Sequence, residues 1–129
     1  MVQTQPAGAR GYVVHAQSTE TFGRVLCSAR DQHFVADGPV QNGCPGEAIT
    51  PAELFLSGVA ACGVELVQVI AKESQLTLQA ASATIEGVVD RSAPVRQDLT
   101  LFNSVRLRFE LRGVSAEQAA QLVERFRRR

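Results

Sequence analysis

Between residues 49 and 74 the apolar positions run almost without a break, in "ITPAELFLSGVAACGVELVQVIAKES". That run predicts one helix from 51 to 74. Thr50 can cap it, Pro51 suits its first turn, and Glu53 stands where a capping box wants a carboxylate. At 1.5 Å per residue the helix is about 36 Å long. Its second half, "VAACGVELVQVIA", keeps little polar face and must be covered on most sides. Gly58 and Gly63 allow another backbone to approach, or a bend. One short chain offers a sheet as the first cover, and a second subunit is the expected other.

Period-two patterning marks the strands. "SVRLRFELRG" is the clearest: Val105, Leu107, Phe109 and Leu111 face one way, and Arg106, Arg108, Glu110 and Arg112 the other. "LTLQAASATIEGVVD" alternates well enough for its partner, with "SAPVRQDLT" as a linker between them. Near the N-terminus "GYVVHAQ" and "GRVLCSAR" read as strands around the turn-prone "STETFG", and "HFVAD" as a third. "GPVQNGCPGEAIT" is a Gly- and Pro-rich loop of a length that often carries function. Ser115 and Gln118 repeat the capping box before a closing helix with the stripe Ala119, Leu122, Val123 and Phe126. The order βββ–α–ββ–α predicts a single α+β domain over residues 1–129, with helices packed on mainly antiparallel sheet.

Composition narrows the function classes. A chain of 129 residues with 45% hydrophobic and 20% charged content is that of a globular protein. It has no tryptophan and one tyrosine, Tyr12, so it lacks aromatic platforms for single-stranded nucleic acid. Net charge is zero, but residues 1–90 carry four basic and nine acidic side chains, and residues 91–129 nine arginines and four acids. Solvated faces explain this most simply; an arginine-rich face meeting an acidic face of a second copy is the sharper reading. Cys27, Cys44 and Cys62 form no C-x-x-C pair, and with two histidines a zinc site is not expected. The polar "MVQTQPAGAR" does not read as a signal peptide, and a cytosolic setting is expected. The apolar run 54–71 holds Glu65 and Gln68 and falls short of a clean membrane span of about 20 residues.

These residues resemble the OsmC-like family, which contains osmotically inducible protein C and the organic hydroperoxide resistance proteins. "FVADGP", the Gly-rich loop, "TPAELFLSGVAACGVELVQVIA" and "VRLRFELRGVSAEQAAQLVERF" carry the resemblance. It implies an intertwined homodimer with long central helices and sites at the subunit interface. It also implies that Cys62, matching the helix cysteine, attacks a hydroperoxide and becomes a sulfenic acid. A second cysteine then resolves it, and an external thiol or dithiol, not a bound cofactor, restores it. Two departures stand out. The carboxylate often found directly after the proline is Ala52 here, with Glu53 turned about 100° away. The chain also ends at "ERFRRR", before the family's second cysteine and C-terminal segment.

Helix geometry does not activate Cys62. The sulfur lies eleven residues after Pro51, and the dipole effect fades within the first turn. Glu65, three residues on, gives no help either. A reactive Cys62 therefore needs a cation from elsewhere, and arginine stays charged and can hold a peroxide oxygen. The family places one in the N-terminal strand and loop region, where Arg24 and Arg30 stand. Arg30, just before "DQHFVADGP", is the favoured candidate, with Glu53 or Glu47 to orient it; both arginines also read as solvated strand residues. Cys44 is a candidate resolving thiol or an incidental loop residue, and Cys27 reads as packing. The alternative to a peroxidase is a non-enzymatic dimer that binds a small apolar ligand or a partner protein, with Cys62 as lining.

Overall fold

The computed structural model describes residues 6–129. Its elements are β1 (His15–Ser18), β2 (Arg24–Ala29), β3 (Gln32–Asp37), a short 3₁₀ turn (Val40–Asn42), α1 (Pro51–Glu73), β4 (Ala80–Val88), β5 (Ser104–Arg112) and α2 (Ala116–Arg127). The chain forms two compact units, one reaching to Glu53 and one spanning Leu54–Arg129.

In the first unit β1, β2 and β3 form an antiparallel meander in that order. The predicted first strand began at Gly11, but β1 starts at His15. Its register explains most of the difference: His15 pairs with Ser28, so Val14 comes level with Ala29, the last residue of β2, and residues 11–13 run past it. Tyr12 and Val13 have strand-forming side chains and no strand to bond, and they stand exposed. β2 and β3 join through Arg30 and Asp31, with Arg30 in the left-handed region at φ 55°. Beyond β3 the chain folds back on the meander. Asp37 N donates to Ile49 O, Gly38 N to Gly23 O and Gly46 N to Gly38 O.

In the second unit β4 and β5 pair antiparallel along their whole length, from Ala80↔Arg112 to Val88↔Ser104. Leu107, Phe109 and Leu111 are half-buried while Arg106, Arg108, Glu110 and Arg112 are exposed, as the alternation requires, but Val105, at the open end of the strand, is exposed as well. The inner face meets α1 at Gly63. A side chain there would press on the Phe109 ring and Leu107, so only glycine permits the approach. Ile70 and Ala71 of α1 and Leu122 of α2 form the core, with Leu76, Leu78, Leu111 and Phe126 packed against it. Phe126 meets Phe109 edge to face, centroids 5.5 Å apart. Both halves of the α2 capping box are made: Gln118 N donates to Ser115 Oγ and Ser115 N to Gln118 Oε1.

Only Gly63, Val67, Ile70 and Ala71 of α1 are buried. Most of this apolar helix is open in the single chain, Phe55 being 60% exposed. The most apolar 18-residue stretch of α1 has a mean hydropathy of 1.9. By length and composition the helix is therefore sufficient to cross a membrane, which the sequence run 54–71 alone had not suggested. Core helices of globular proteins meet the same measure.

Candidate functional site

The most tightly organised polar group lies where β2 begins and β3 ends. Arg24 and Asp37 sit directly opposite in the β2–β3 ladder. Arg24 Nε donates to Asp37 Oδ1 at 2.8 Å, and Nη2 donates to Oδ2 at 2.9 Å. The same Nη2 reaches Glu47 Oε1 at 3.2 Å. Asp37 is fully buried and also accepts the backbone N–H groups of Glu47 (3.0 Å) and Ala48 (2.8 Å) on Oδ2. One carboxylate thus fastens the loop before α1 to the end of β3. A bidentate guanidinium is the partner that makes such burial tolerable.

The Arg24 bonds, then the Ala48 and Glu47 N–H groups, hold the Asp37 carboxyl far below the usual carboxylate range and outweigh the effect of burial. The unfolded chain, with a carboxyl near pKa ~3.9, takes up the proton first as pH falls. The contribution of Asp37 to stability is therefore complete above about pH 4–5 and is lost progressively below it. In urea denaturation, Asp37→Asn should be less stable than wild type at pH 7, and the gap should close as pH falls below about 4. Parallel curves would show that the ion pair contributes nothing to acid sensitivity.

Cys44 is wedged against this cluster. Its Sγ fills the space a side chain would take on Gly23 and Gly38, the neighbours of Arg24 and Asp37. Gly23 also has φ 81°, a conformation open to glycine. The thiol is half-buried and lies 3.8 Å from Asn42 O, to which it donates. Cys27 is buried in β2, opposite Phe34 of β3.

Glu53 closes the cap of α1. Its Oε1 accepts Thr50 N at 3.0 Å and Thr50 Oγ1 at 2.7 Å, and Glu53 N donates back to Thr50 Oγ1 at 3.5 Å. Those Thr50 bonds lower the carboxyl's pKa. Glu53 is thus engaged as a cap within its own turn. Arg30 stands exposed on the β2–β3 turn and enters no ion pair among the described residues. Arg24 is the arginine that the strand register organises, with Glu47 as its second carboxylate.

Asp37 is the residue the sequence reading passed over. "FVADGP" reads as a strand ending in turn formers, and an aspartate before Gly-Pro is ordinary in that role. The available signal was the length of the two strands around their two-residue turn, which puts Arg24 across from Asp37.

Cys62 lies in the second unit, on α1, with its thiol exposed. Seven residues separate it from Phe55, two helical turns on the same face. Phe55 stacks on Phe102 with ring centroids 5.7 Å apart. Gly58, between them, has open space above it. Among the described residues no group of three or more His, Cys, Asp or Glu side chains could hold a metal ion.

No curated protein matches the sequence. Among solved structures, the chain is similar to an OsmC-like protein of Mycoplasma pneumoniae, at 16% identity and TM-score 0.79, over 93% of this chain and 82% of that one. It is similar to the organic hydroperoxide resistance protein OsmC of Legionella pneumophila, at 21% identity and TM-score 0.72, over 92% and 83%. It is also similar to an organic hydroperoxide resistance protein of Elizabethkingia anophelis, at 16% identity and TM-score 0.76, over 95% and 85%. At these identities the likeness is one of fold. The family model for OsmC-like protein matches residues 44–129, which hold all of α1, both strands of the second sheet and α2. With well over half its length matched by that model, the chain belongs to the OsmC-like family.

Proposed function

We propose that this protein is a thiol-dependent reductase of organic hydroperoxides, with Cys62 as its peroxidatic cysteine. The observation that carries the reading is an exposed thiol on α1, inside the segment matched by the family model. Two of the solved structures that share the fold are organic hydroperoxide resistance proteins.

In this reading the Cys62 thiolate attacks the terminal peroxide oxygen. An S–O bond forms as the O–O bond breaks, and the departing alkoxide takes a proton and leaves as the alcohol. The sulfur is now a sulfenic acid. One thiol of an external dithiol condenses with it, releasing water and leaving a mixed disulfide. The second thiol displaces Cys62 and restores it, so reducing equivalents come from outside and no bound cofactor is needed. Cys44, wedged on two glycines, has a packing role that leaves resolution to the dithiol.

Thiolate formation needs a cation, because the helix supplies none at Cys62. The candidates for that role are Arg30 and Arg24, and Arg24 is the one that carboxylates orient. Arg24 is pre-oriented by Asp37 and Glu47, as an electrostatic catalyst must be. Asp37 and Glu47 are then positioning residues.

Two copies associating through the exposed apolar side of α1, in the cytosol, complete the proposal. Exposed apolar side chains gathered on one helix are the kind of surface that marks an interaction site. Light scattering at micromolar concentration should give twice the chain mass, and a monomeric mass would reject the association.

One observation favours a second reading. The position after Pro51 is Ala52, and Glu53 is engaged by Thr50. A non-enzymatic dimer binding a small apolar ligand or a partner protein fits that arrangement. Incubation with cumene hydroperoxide and a dithiol separates the two. The proposal expects peroxide loss that scales with protein and requires the dithiol. Loss no faster than in buffer would overturn it.

A further inference from the structure

We propose that the loop joining β4 to β5 is a binding site for a small apolar carboxylate, anchored by Arg91. Its lining includes neither Cys62 nor any residue assigned to its chemistry.

The loop covers residues 89–103, far longer than the two to five residues that ordinarily close a hairpin. Loops of this length without regular structure are commonly functional. It is also tied. Asn103 N donates to Val88 O at 2.7 Å, and Asn103 Nδ2 donates to Ala93 O at 2.6 Å. Asn103 Oδ1 accepts Asp90 N at 2.7 Å. One asparagine therefore clasps the neck from both sides and preforms the loop. Behind the neck, Phe102 and Leu56 both close over Gly87, and Phe102 stacks on Phe55, which fixes the base of the loop to α1.

The clasped loop frames an open concavity of about 450 Å³, within the range of small-molecule sites. Its walls carry apolar surface that the fold leaves wet: Val89 is 45% exposed, and Leu99 and Leu101 are 43% exposed. A tied loop that keeps such surface in water gains from an apolar occupant.

The charges lining the concavity define the other end of that occupant. Asp90 Oδ1 accepts both Ser92 N and Ser92 Oγ. Asp98 takes Arg96 in a two-pronged pair, Nε to Oδ1 at 2.9 Å and Nη2 to Oδ2. Arg91 enters no ion pair or side-chain hydrogen bond among the described residues, so the uncommitted charge is a guanidinium. A guanidinium fork fits a planar carboxylate with two parallel bonds. The single free cation, with Asp90 and Asp98 close by, favours a monoanion over a phosphate dianion. The ligand class that meets both ends is a carboxylate with a short hydrocarbon body.

Octanoate is the probe, followed by backbone amide shifts of the full chain. Saturable shifts confined to residues 89–103 are expected, with acetate and inorganic phosphate each at least about tenfold weaker. Arg91→Gln should weaken octanoate by about tenfold, while Arg112→Gln, on the exposed face of β5, should leave it unchanged. Both positions are exposed, so neither change threatens the fold. The titration on Cys62→Ala protein should match wild type, which keeps this test independent of the peroxidase reading. Unsaturable shifts, shifts mapping outside the loop, phosphate binding as tight as octanoate, or an Arg91→Gln protein equal to wild type would each overturn the proposal.

Discussion

Cys62→Ala protein should consume alkyl hydroperoxide at no more than about a thousandth of the wild-type rate, because a nucleophile cannot be replaced by the groups around it. The size of the effect follows from the other thiols. Cys27 is buried, and Cys44 is half-buried with its sulfur against Gly23 and Gly38. Neither is as open as Cys62. The substitution should leave the fold intact, since position 62 is exposed on a helix and alanine is the best helix former. Unchanged far-ultraviolet circular dichroism would therefore accompany the loss. Cys44→Ala is the matched control and should retain most of the rate. A Cys62→Ala protein as active as wild type would remove the thiol from the chemistry and leave the ligand-binding reading.

Leu122→Ala should give the largest loss of stability from a single side chain, about 2–5 kcal/mol. Leu122 is 1% exposed and contacts the core built by Ile70 and Ala71, with Phe126 and Leu111 packed beside it. Truncation removes apolar contact and leaves a cavity that the T-shaped Phe109–Phe126 pair cannot readily fill. For a chain of this length the melting temperature should fall by roughly 10 °C or more. The comparison must be made at equal protein concentration, because self-association shifts melting temperature by mass action. A shift of a degree or two would mean that α2 contributes little to the core.

What the amino-acid pattern reveals depends on how local the cause is. α1 was legible because Thr50, Pro51 and Glu53 define its start within four residues, and the cap they form is the one observed. β5 was legible because each of its side chains faces either apolar neighbours or water, and period two records that directly. The start of β1 was not, because "GYV" has strand chemistry but lies past the end of its partner. Pairing is a property of two segments, and one of them had run out.

The candidate site divides the same way. Cys62 stands out within its helix, and Glu53 shows itself as a cap from its spacing to Thr50. The choice between Arg24 and Arg30 could not be made from either residue's own neighbours. The β2–β3 register sets Arg24 across from Asp37 and leaves Arg30 on the turn, a difference that only the pairing of two strands reveals. Asp37 was hidden by its setting, since burial of a carboxylate before Gly-Pro is decided by the loop that returns over it.

The central claim is that Cys62 is oxidised by the substrate itself. The direct measurement is to treat the protein with one equivalent of cumene hydroperoxide, trap sulfenic acid with dimedone, and map the adduct by peptide mass spectrometry. The account predicts one adduct per chain, on Cys62, formed in step with cumyl alcohol. An unlabelled Cys62, or an adduct that forms on Cys44 instead, would contradict it.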